Sequence, residues 1–384
     1  MDNKNFWRTF SIRSTVAFFL STLIFLICIL RITVISTKNY TETAINQSRY
    51  KLNAGKTRGT IYDCNLIPLT NNQKKIIAAV SPTPRAITAI SSVLKGEKLN
   101  NALEQLKKGK PILCEIEEEI VCDGIICKTI NSTDYENYVA KHLLGYINSE
   151  GKGVTGLELA YDDVLYSGGD INFCFESNGV GGILTGIEPN IEITETSNGN
   201  LITTIDINIQ NIAEEYSNYI EKGAVVVADA KTNKIRAMVS RPDFDINNIG
   251  AVLENTDSPL LNRAISAFNV GSVFKPCVAS AGIENNLRNF TYICTGSCKI
   301  IDRYFKCHKK DGHGICDLRL GLANSCNTFF YNLSFNIGGD KIYETAKKFK
   351  FGSSIILCNN IKTSKGNLPD KKLLENQAHL ANFC

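Results

Sequence analysis

Between Ser14 and Leu30 the chain carries no charge and is mostly apolar, and Ile32, Thr33, Val34 and Ile35 extend the run past Arg31. About 20 residues at 1.5 Å rise cross the hydrocarbon core of a bilayer. The pattern predicts a membrane anchor over 14–35 behind a short tail, 1–13. The run is longer than that of a signal peptide, and no small-x-small cleavage site follows it. Lys4, Arg8 and Arg13 precede the span and Arg31, Lys38, Arg49 and Lys51 follow it, so basic residues alone do not set its orientation.

Beyond the span the periodicity changes repeatedly. Residues 37–57 are polar with apolar positions at helical intervals, which predicts a stalk helix. Thr60-Ile61-Tyr62 reads as a strand running into a turn at Asp63-Cys64-Asn65. Residues 86–109 read as helix broken at Gly96, and 134–147 as helix through Tyr138, Val139, Leu143, Leu144 and Ile147. A glycine-rich stretch, 151–186, and a loop at 196–200 follow. Asp206 is placed to cap a helix running to about Tyr219. Ala224–Ala228 and Ile235–Val239 read as an antiparallel hairpin, the first strand of buried type, with Asn233 suited to a left-handed turn position.

The 384 residues are 43% hydrophobic and 21% charged, with a net charge of +4. That length allows two or three domains with a sizeable core. The composition excludes a disordered tail, a collagen and a multi-span transporter. The spread of charge makes no case for nucleic acid. Of 14 cysteines, Cys28 lies in the span, leaving an odd number beyond it. Val121–Cys127 reads as a hairpin on an Asp-Gly turn that can set Cys122 opposite Cys127. Cys294, Cys298, Cys307 and His308 are not at a standard zinc spacing and read as free thiols or one disulfide, so neither metal nor cofactor is expected.

The chemistry concentrates at Asn269-Val270-Gly271-Ser272-Val273-Phe274-Lys275-Pro276. Pro276 has no N–H, and its ring clashes with the carbonyl four residues back, so a helix here starts near Ser272. Lys275 then lies on the same face as Ser272, within reach of its oxygen. A serine hydroxyl needs a base beside it, and a desolvated lysine can be that base. Asn324-Ser325-Cys326-Asn327-Thr328 offers a second hydroxyl and a carboxamide at alternate positions of a tight loop.

With these motifs the chain resembles the class B penicillin-binding proteins, whose Ser-x-x-Lys and Ser-x-Asn match Ser272–Lys275 and Ser325–Asn327. The resemblance extends over Arg58-Gly59-Thr60-Ile61-Tyr62-Asp63-Cys64-Asn65, Leu144-Gly145-Tyr146, Gly153–Glu158, Thr203–Asp206 with Gln210, the hairpin 224–239, Asn262-Arg263-Ala264 and His313-Gly314, in the family's order. It is nearest to the sporulation and division members. It implies an α+β fold: an anchor, a mixed α/β pedestal or dimerisation domain (36–195), and a penicillin-binding transpeptidase domain (196–384) of the serine β-lactamase-like kind. The implied activity is peptidoglycan D,D-transpeptidation. Ser272 is the nucleophile, Lys275 the base, Ser325 the proton relay and Asn327 the grip on the substrate amide. The implied partners are a stem peptide, β-lactams, the bacterial cell membrane and a glycosyltransferase or another division or sporulation membrane protein. The N-terminus would be cytoplasmic and the bulk of the chain extracytoplasmic.

Val270, Ile246 and Asn233 stand where the family has Pro, Pro and Gly; none of these removes a reacting group. The larger departure is the third motif, Lys-Thr-Gly or Lys-Ser-Gly, which is absent from the 384 residues. Lys362-Thr363-Ser364 does not replace it, lacking the glycine for close backbone approach and coming too early. On this reading the chain is incomplete, and little or no transpeptidase activity is expected. Alternatives are a non-catalytic membrane-anchored scaffold and a β-lactam sensor, the latter disfavoured by the single span.

Overall fold

The N-terminal apolar run forms one helix, Asn3–Thr37, whose segment Phe10–Ser36 is long and apolar enough to cross a bilayer. Threonine hydroxyls in it are satisfied internally: those of Thr15, Thr22 and Thr33 donate to the carbonyls of Ser11, Phe18 and Ile29. No water is needed to solvate them, as a hydrocarbon setting requires. This is a computed structural model, and it describes residues 3–37, 48–166, 168–178, 182–184, 186–194 and 199–384.

Two compact units follow from the chain's contacts, interleaved in sequence. The first draws its described residues from Met1–Thr57, Lys74–Asn131 and Gly168–Thr196. The apolar run Ile76–Val80 lies in strand Gln73–Val80, central in a sheet between Ile112–Ile116 and Ile125–Ser132. Both its faces are covered, as a continuous apolar strand requires. Ala78 and Val80 pack on Ala86, Ile90 and Leu106 from helices Pro84–Val93 and Gly96–Lys107. Ala79 packs with Phe173 and Phe175 of a second sheet, ordered Arg49–Lys56, Asp170–Glu176, Asn190–Ile193. The helix pair breaks where Gly96 takes φ +61°.

Three expectations are corrected here. The stalk helix does not form over its second half, since Arg49–Lys56 is a strand; 38–47 lie outside the described residues. Its partner, Asp170–Glu176, is remote in sequence, and Arg49 and Lys51 pair with Glu176 and Glu192. Local periodicity cannot register such a partner. The Asp-Gly turn is present, but it pairs Cys122 with Ile125, and Cys127 donates to the Ile120 carbonyl instead of facing Cys122. The helix expected over 134–147 shrinks to Lys141–Leu144. The Asp134 carboxylate takes the amides of Glu136 and Asn137, and Ala140 adopts φ +49°, so the helix has no earlier start.

The second unit holds the described residues of Arg58–Gln73, Ser132–Ser167 and Ser197–Cys384. Strand Ile61–Tyr62 pairs in parallel with Leu201–Ile202, and Ile61, Leu144, Leu165, Ile205 and Met238 share one core. Arg58 is buried here. It donates to Glu158 Oε2 at 2.6 Å, Asp162 Oδ1 at 2.8 Å and the carbonyls of Gly151 and Glu158. A Cβ on Gly59 would stand 1.8 Å from the Gly199 oxygen, so only glycine fits. Arg58-Gly59 thus has a structural role. Asp206 caps helix Ile207–Ser217 by accepting from the amides of Asn208 and Ile209. The hairpin forms as Gly223–Ala228 with Ile235–Arg241, and Asn233 has φ +57°. Its second strand is the buried one. Val226 and Val227 of the first are exposed, against expectation, because that strand pairs only with its hairpin partner among the described residues.

A second core joins helices Lys275–Glu284, Asn327–Ile337 and Gly339–Lys348 through Val278, Ala281, Phe329, Leu333, Ile337 and Ile342. Each of its large side chains contributes about 1.5–3 kcal/mol by leaving water. This core sets the separation between the serine helix and the Ser-x-Asn turn.

Candidate active site

Ser272 lies in a tight helical turn, Gly271–Phe274, that leads into the α-helix Lys275–Glu284. The helix thus begins where Pro276 requires it. Gly271 takes φ +55° to enter the turn. Phe274, wedged on Phe351 and Phe383 with ring centroids 5.3 and 4.6 Å away, anchors it, while Ser272 stays exposed. Ser325 is in the turn between helices Leu318–Ala323 and Asn327–Ile337, with φ +47°. That left-handed geometry is costly for a residue with a Cβ, at about 1–3 kcal/mol. It is held by Ser325 N–H donating to the Leu322 carbonyl and Cys326 N–H to that of Gly321.

Lys275 joins the two motifs. Its side chain is buried, and Nζ lies 3.1 Å from Ser272 Oγ, 2.9 Å from Ser325 Oγ, 2.8 Å from the Ser325 carbonyl and 2.6 Å from Asn327 Oδ1. All four residues expected from sequence therefore meet at one nitrogen. An ammonium has three hydrogens for these four oxygens. A neutral amine has two and a lone pair, into which the Ser272 hydroxyl can donate. Among the described residues no carboxylate pairs with Lys275, and burial pulls its pKa below the ordinary lysine range, with the Cys307 and Cys326 thiols opposing. The Phe330 ring lies 5.8 Å away. A cleft of about 790 Å³ opens over Ser272, walled by Phe268, Tyr331, Phe349 and Phe351 among others.

Behind the Ser-x-Asn turn is a group that sequence spacing did not single out. The Cys294, Cys307 and Cys326 sulfurs and a His313 nitrogen all lie within 4.8 Å of one another. His313 Nδ1 is 3.6 Å from Cys294 Sγ and 3.5 Å from Cys307 Sγ, and the sulfurs of Cys307 and Cys326 are 3.9 Å apart. Tetrahedral zinc with Zn–S near 2.3 Å separates its ligands by about 3.5–3.8 Å, so the set fits a thiophilic divalent cation. Two members of the sequence set, Cys294 and Cys307, belong to it; His313 and Cys326 replace His308 and Cys298. Loop crossing makes this possible: a Cβ on Gly296 would lie 1.8 Å from the Lys310 oxygen, and one on Gly312 2.0 Å from that of Cys294. Burial acts to raise the Cys294 thiol, but donors from Thr328, Gly296 and His313 outweigh it and bring it to about 6; burial pushes Cys326 up to about 12. The available signals were a cysteine inside the Ser-x-Asn motif and the unexplained His313.

Residues 223–383 match the model of the penicillin binding protein transpeptidase domain. The peptidoglycan D,D-transpeptidase MrdA of Escherichia coli K12 is 25% identical over 398 residues, covering 86% of this chain and 60% of that protein. Stage V sporulation protein D of Bacillus subtilis is 27% identical over 327 residues, 77% of this chain and 49% of that one. Among solved structures, the penicillin-binding protein PBP2 of Helicobacter pylori superposes with a TM-score of 0.55 at 21% identity, over 79% of this chain and 67% of that one; another is its complex with MreC, at a TM-score of 0.52 and 21% identity over 80% and 66%. The chain spans 60% or less of the length of these two sequence relatives. Taken with two motifs converging on one buried amine, these likenesses show a penicillin binding protein transpeptidase domain over residues 223–383, in a chain similar to the peptidoglycan transpeptidase and the sporulation protein named above.

Proposed function

We propose that this chain performs serine acyl transfer on a peptide ending in D-Ala-D-Ala, as a peptidoglycan D,D-transpeptidase. The observation that carries the reading is the placement of Lys275 Nζ between Ser272 Oγ and Ser325 Oγ with no carboxylate partner. Ser272 Oγ attacks the penultimate D-alanine carbonyl, and its proton moves to Lys275 Nζ. The amide N–H of Ser272, at a helix start, donates to the oxyanion. As the C–N bond breaks, the proton passes through Ser325 Oγ to the departing D-alanine amine. Asn327 Oδ1 accepts from Lys275 and its Nδ2 donates one hydrogen to the Lys306 carbonyl at 3.4 Å, which leaves the second Nδ2 hydrogen for a substrate amide carbonyl. A second stem amine then attacks the ester and restores Ser272. A β-lactam acylates the same serine when its ring amide opens.

Cys294, Cys307, His313 and Cys326 would hold a zinc ion, which supplies a structural cross-link behind the turn and takes no part in bond exchange. The apolar helix would anchor the protein with its N-terminus in the cytoplasm and the cleft outside, where the peptide is found. The H. pylori relative is known in complex with MreC, which supports a protein partner for this chain as well. Within these 384 residues no Lys-Thr-Gly or Lys-Ser-Gly supplies a second oxyanion donor, and one such donor is worth about 10²–10³ in rate.

The test is prolonged incubation of the detergent-solubilised chain with a fluorescent penicillin, followed by peptide mass mapping. Covalent labelling on Ser272, lost in Ser272→Ala, is expected. Labelling that survives Ser272→Ala, or none after overnight incubation, would overturn the reading and favour the scaffold.

A further inference from the structure

We infer that the outer face of the hairpin Ser297–Ile300 and Arg303–Lys306, where Tyr304 stands between Lys299 and Lys306, is a docking surface for a carboxylate-bearing glycan strand. The choice of a glycan rests on the acyl-transfer reading above. The two strands pair Ser297 with Lys306, Cys298 with Phe305, Lys299 with Tyr304 and Ile300 with Arg303. Side chains alternate across a strand, so Lys299, Tyr304 and Lys306 share one face. That face is in solvent: both lysines are exposed, and Tyr304 is 69% exposed. The opposite face turns inward, with Ile300 3% exposed and the Phe305 ring edge-on to Tyr331 at 5.6 Å.

The hairpin is fixed beside the cleft over Ser272. Cys307 N–H donates to the Gly296 carbonyl at 2.8 Å and closes its base. Asn327 Nδ2 donates to the Lys306 carbonyl at 3.4 Å. Asn327 and Tyr331, the residues it touches, both line the cleft. Residues 299–311 carry five exposed cations, Lys299, Arg303, Lys306, Lys309 and Lys310, against the carboxylates Asp302 and Asp311. Among the described residues none of these seven has an ion-pair partner. Lys348 and Lys371, by contrast, pair with Glu284 and Glu344. An excess of unpaired cations attracts an anionic chain. A tyrosine face adds an apolar platform with a polar tip, which suits the C–H face of a sugar ring. Directly opposed side chains lie about 5 Å apart, so Lys299 can reach a carboxylate borne by a sugar seated on Tyr304.

The test uses the full chain in micelles, with Ser272→Ala to stop acylation. Its binding to a short, uncrosslinked, fluorescein-labelled glycan strand that keeps its stem peptides is read by anisotropy. Tyr304→Ser should weaken binding about fivefold, and Tyr304→Phe should keep it. Lys299→Gln should weaken it about threefold at low salt, and that difference should fade at about 0.5 M salt. Melting curves separate lost docking from lost folding, and Lys299→Gln carries the test if Tyr304→Ser unfolds. Unchanged binding in folded Tyr304→Ser or Lys299→Gln would overturn the inference. So would equally tight, Tyr304-dependent binding of polyglutamate or of phosphatidylglycerol vesicles. Loss of penicillin labelling at Ser272 in the unsubstituted chain, with hairpin-dependent glycan binding intact, would instead sink the acyl-transfer reading and leave this one standing.

Discussion

Among the cations buried in the second unit, Arg58 and Lys275 both come from segments that resemble family motifs. Arg58 meets two carboxylates and two carbonyls through four of its five N–H groups. Lys275 meets only neutral oxygens, one of them the exposed Ser272 hydroxyl. A guanidinium stays protonated and suits a forked, permanent bond. An amine in a desolvated, carboxylate-free niche can give up its proton. Burial and resemblance alone do not separate a structural charge from a chemical one; the partner set does.

That contrast can be broken most directly at Lys275. Lys275→Ala should slow acylation of Ser272 by about 10³, read as the rate of penicillin labelling. It should leave thermal stability unchanged or slightly higher, because a buried cation without a counter-charge has been removed. A large fall in melting temperature would make Lys275 a second Arg58. Arg58→Ala should do the reverse, costing about 3 kcal/mol in stability by stranding Glu158, with any loss of labelling following from unfolding. Burial already holds the Glu158 carboxyl above its usual range against the pull of Arg58. The folded variant therefore binds a proton there more readily than the unfolded chain does. Its stability falls as pH rises through that window, so denaturation curves should show the deficit of Arg58→Ala shrinking at acid pH.

The thiol cluster extends the comparison to neutral and ionised sulfur. Protein purified with zinc should retain about one equivalent by elemental analysis, and Cys294→Ser or His313→Ala should lose it. Removing the metal should lower stability by about 3 kcal/mol, with the Ser-x-Asn turn loosened before the Arg58 region in hydrogen exchange. The smallest effect concerns Ser325. Ser325→Gly should relieve the left-handed strain and add about 1 kcal/mol of stability, while labelling slows because the relay hydroxyl is gone. An unchanged melting temperature would show that the turn is not strained.

What the sequence made legible were features whose cause is local. The long apolar helix Asn3–Thr37 is set by its own composition. Pro276 sets where the serine helix starts, Asp206 caps its helix, and Asn233 turns its hairpin. What escaped depends on distant chain. Arg49–Lys56 is a strand because of Asp170–Glu176, and the exposure of Val226 follows from what pairs with its strand. The four-residue thiol and imidazole set comes from separate loops brought together where Gly296 and Gly312 cross, and no spacing rule encodes that crossing. The Ser-x-x-Lys and Ser-x-Asn residues could be named in advance, but not the hairpin face that stands beside them.

The pairing of Ile61–Tyr62 with Leu201–Ile202 also has a consequence in time. A ribosome adding about 5–20 residues per second takes roughly 7–28 s to make the 140 residues between these strands (201 − 61). Throughout that interval Ile61 and Leu69 lack Ile205 and Met238, which later complete their core. The cell must shelter a sticky, half-made nascent chain for tens of seconds, and holdase demand, more than final stability, should limit how much of this protein accumulates.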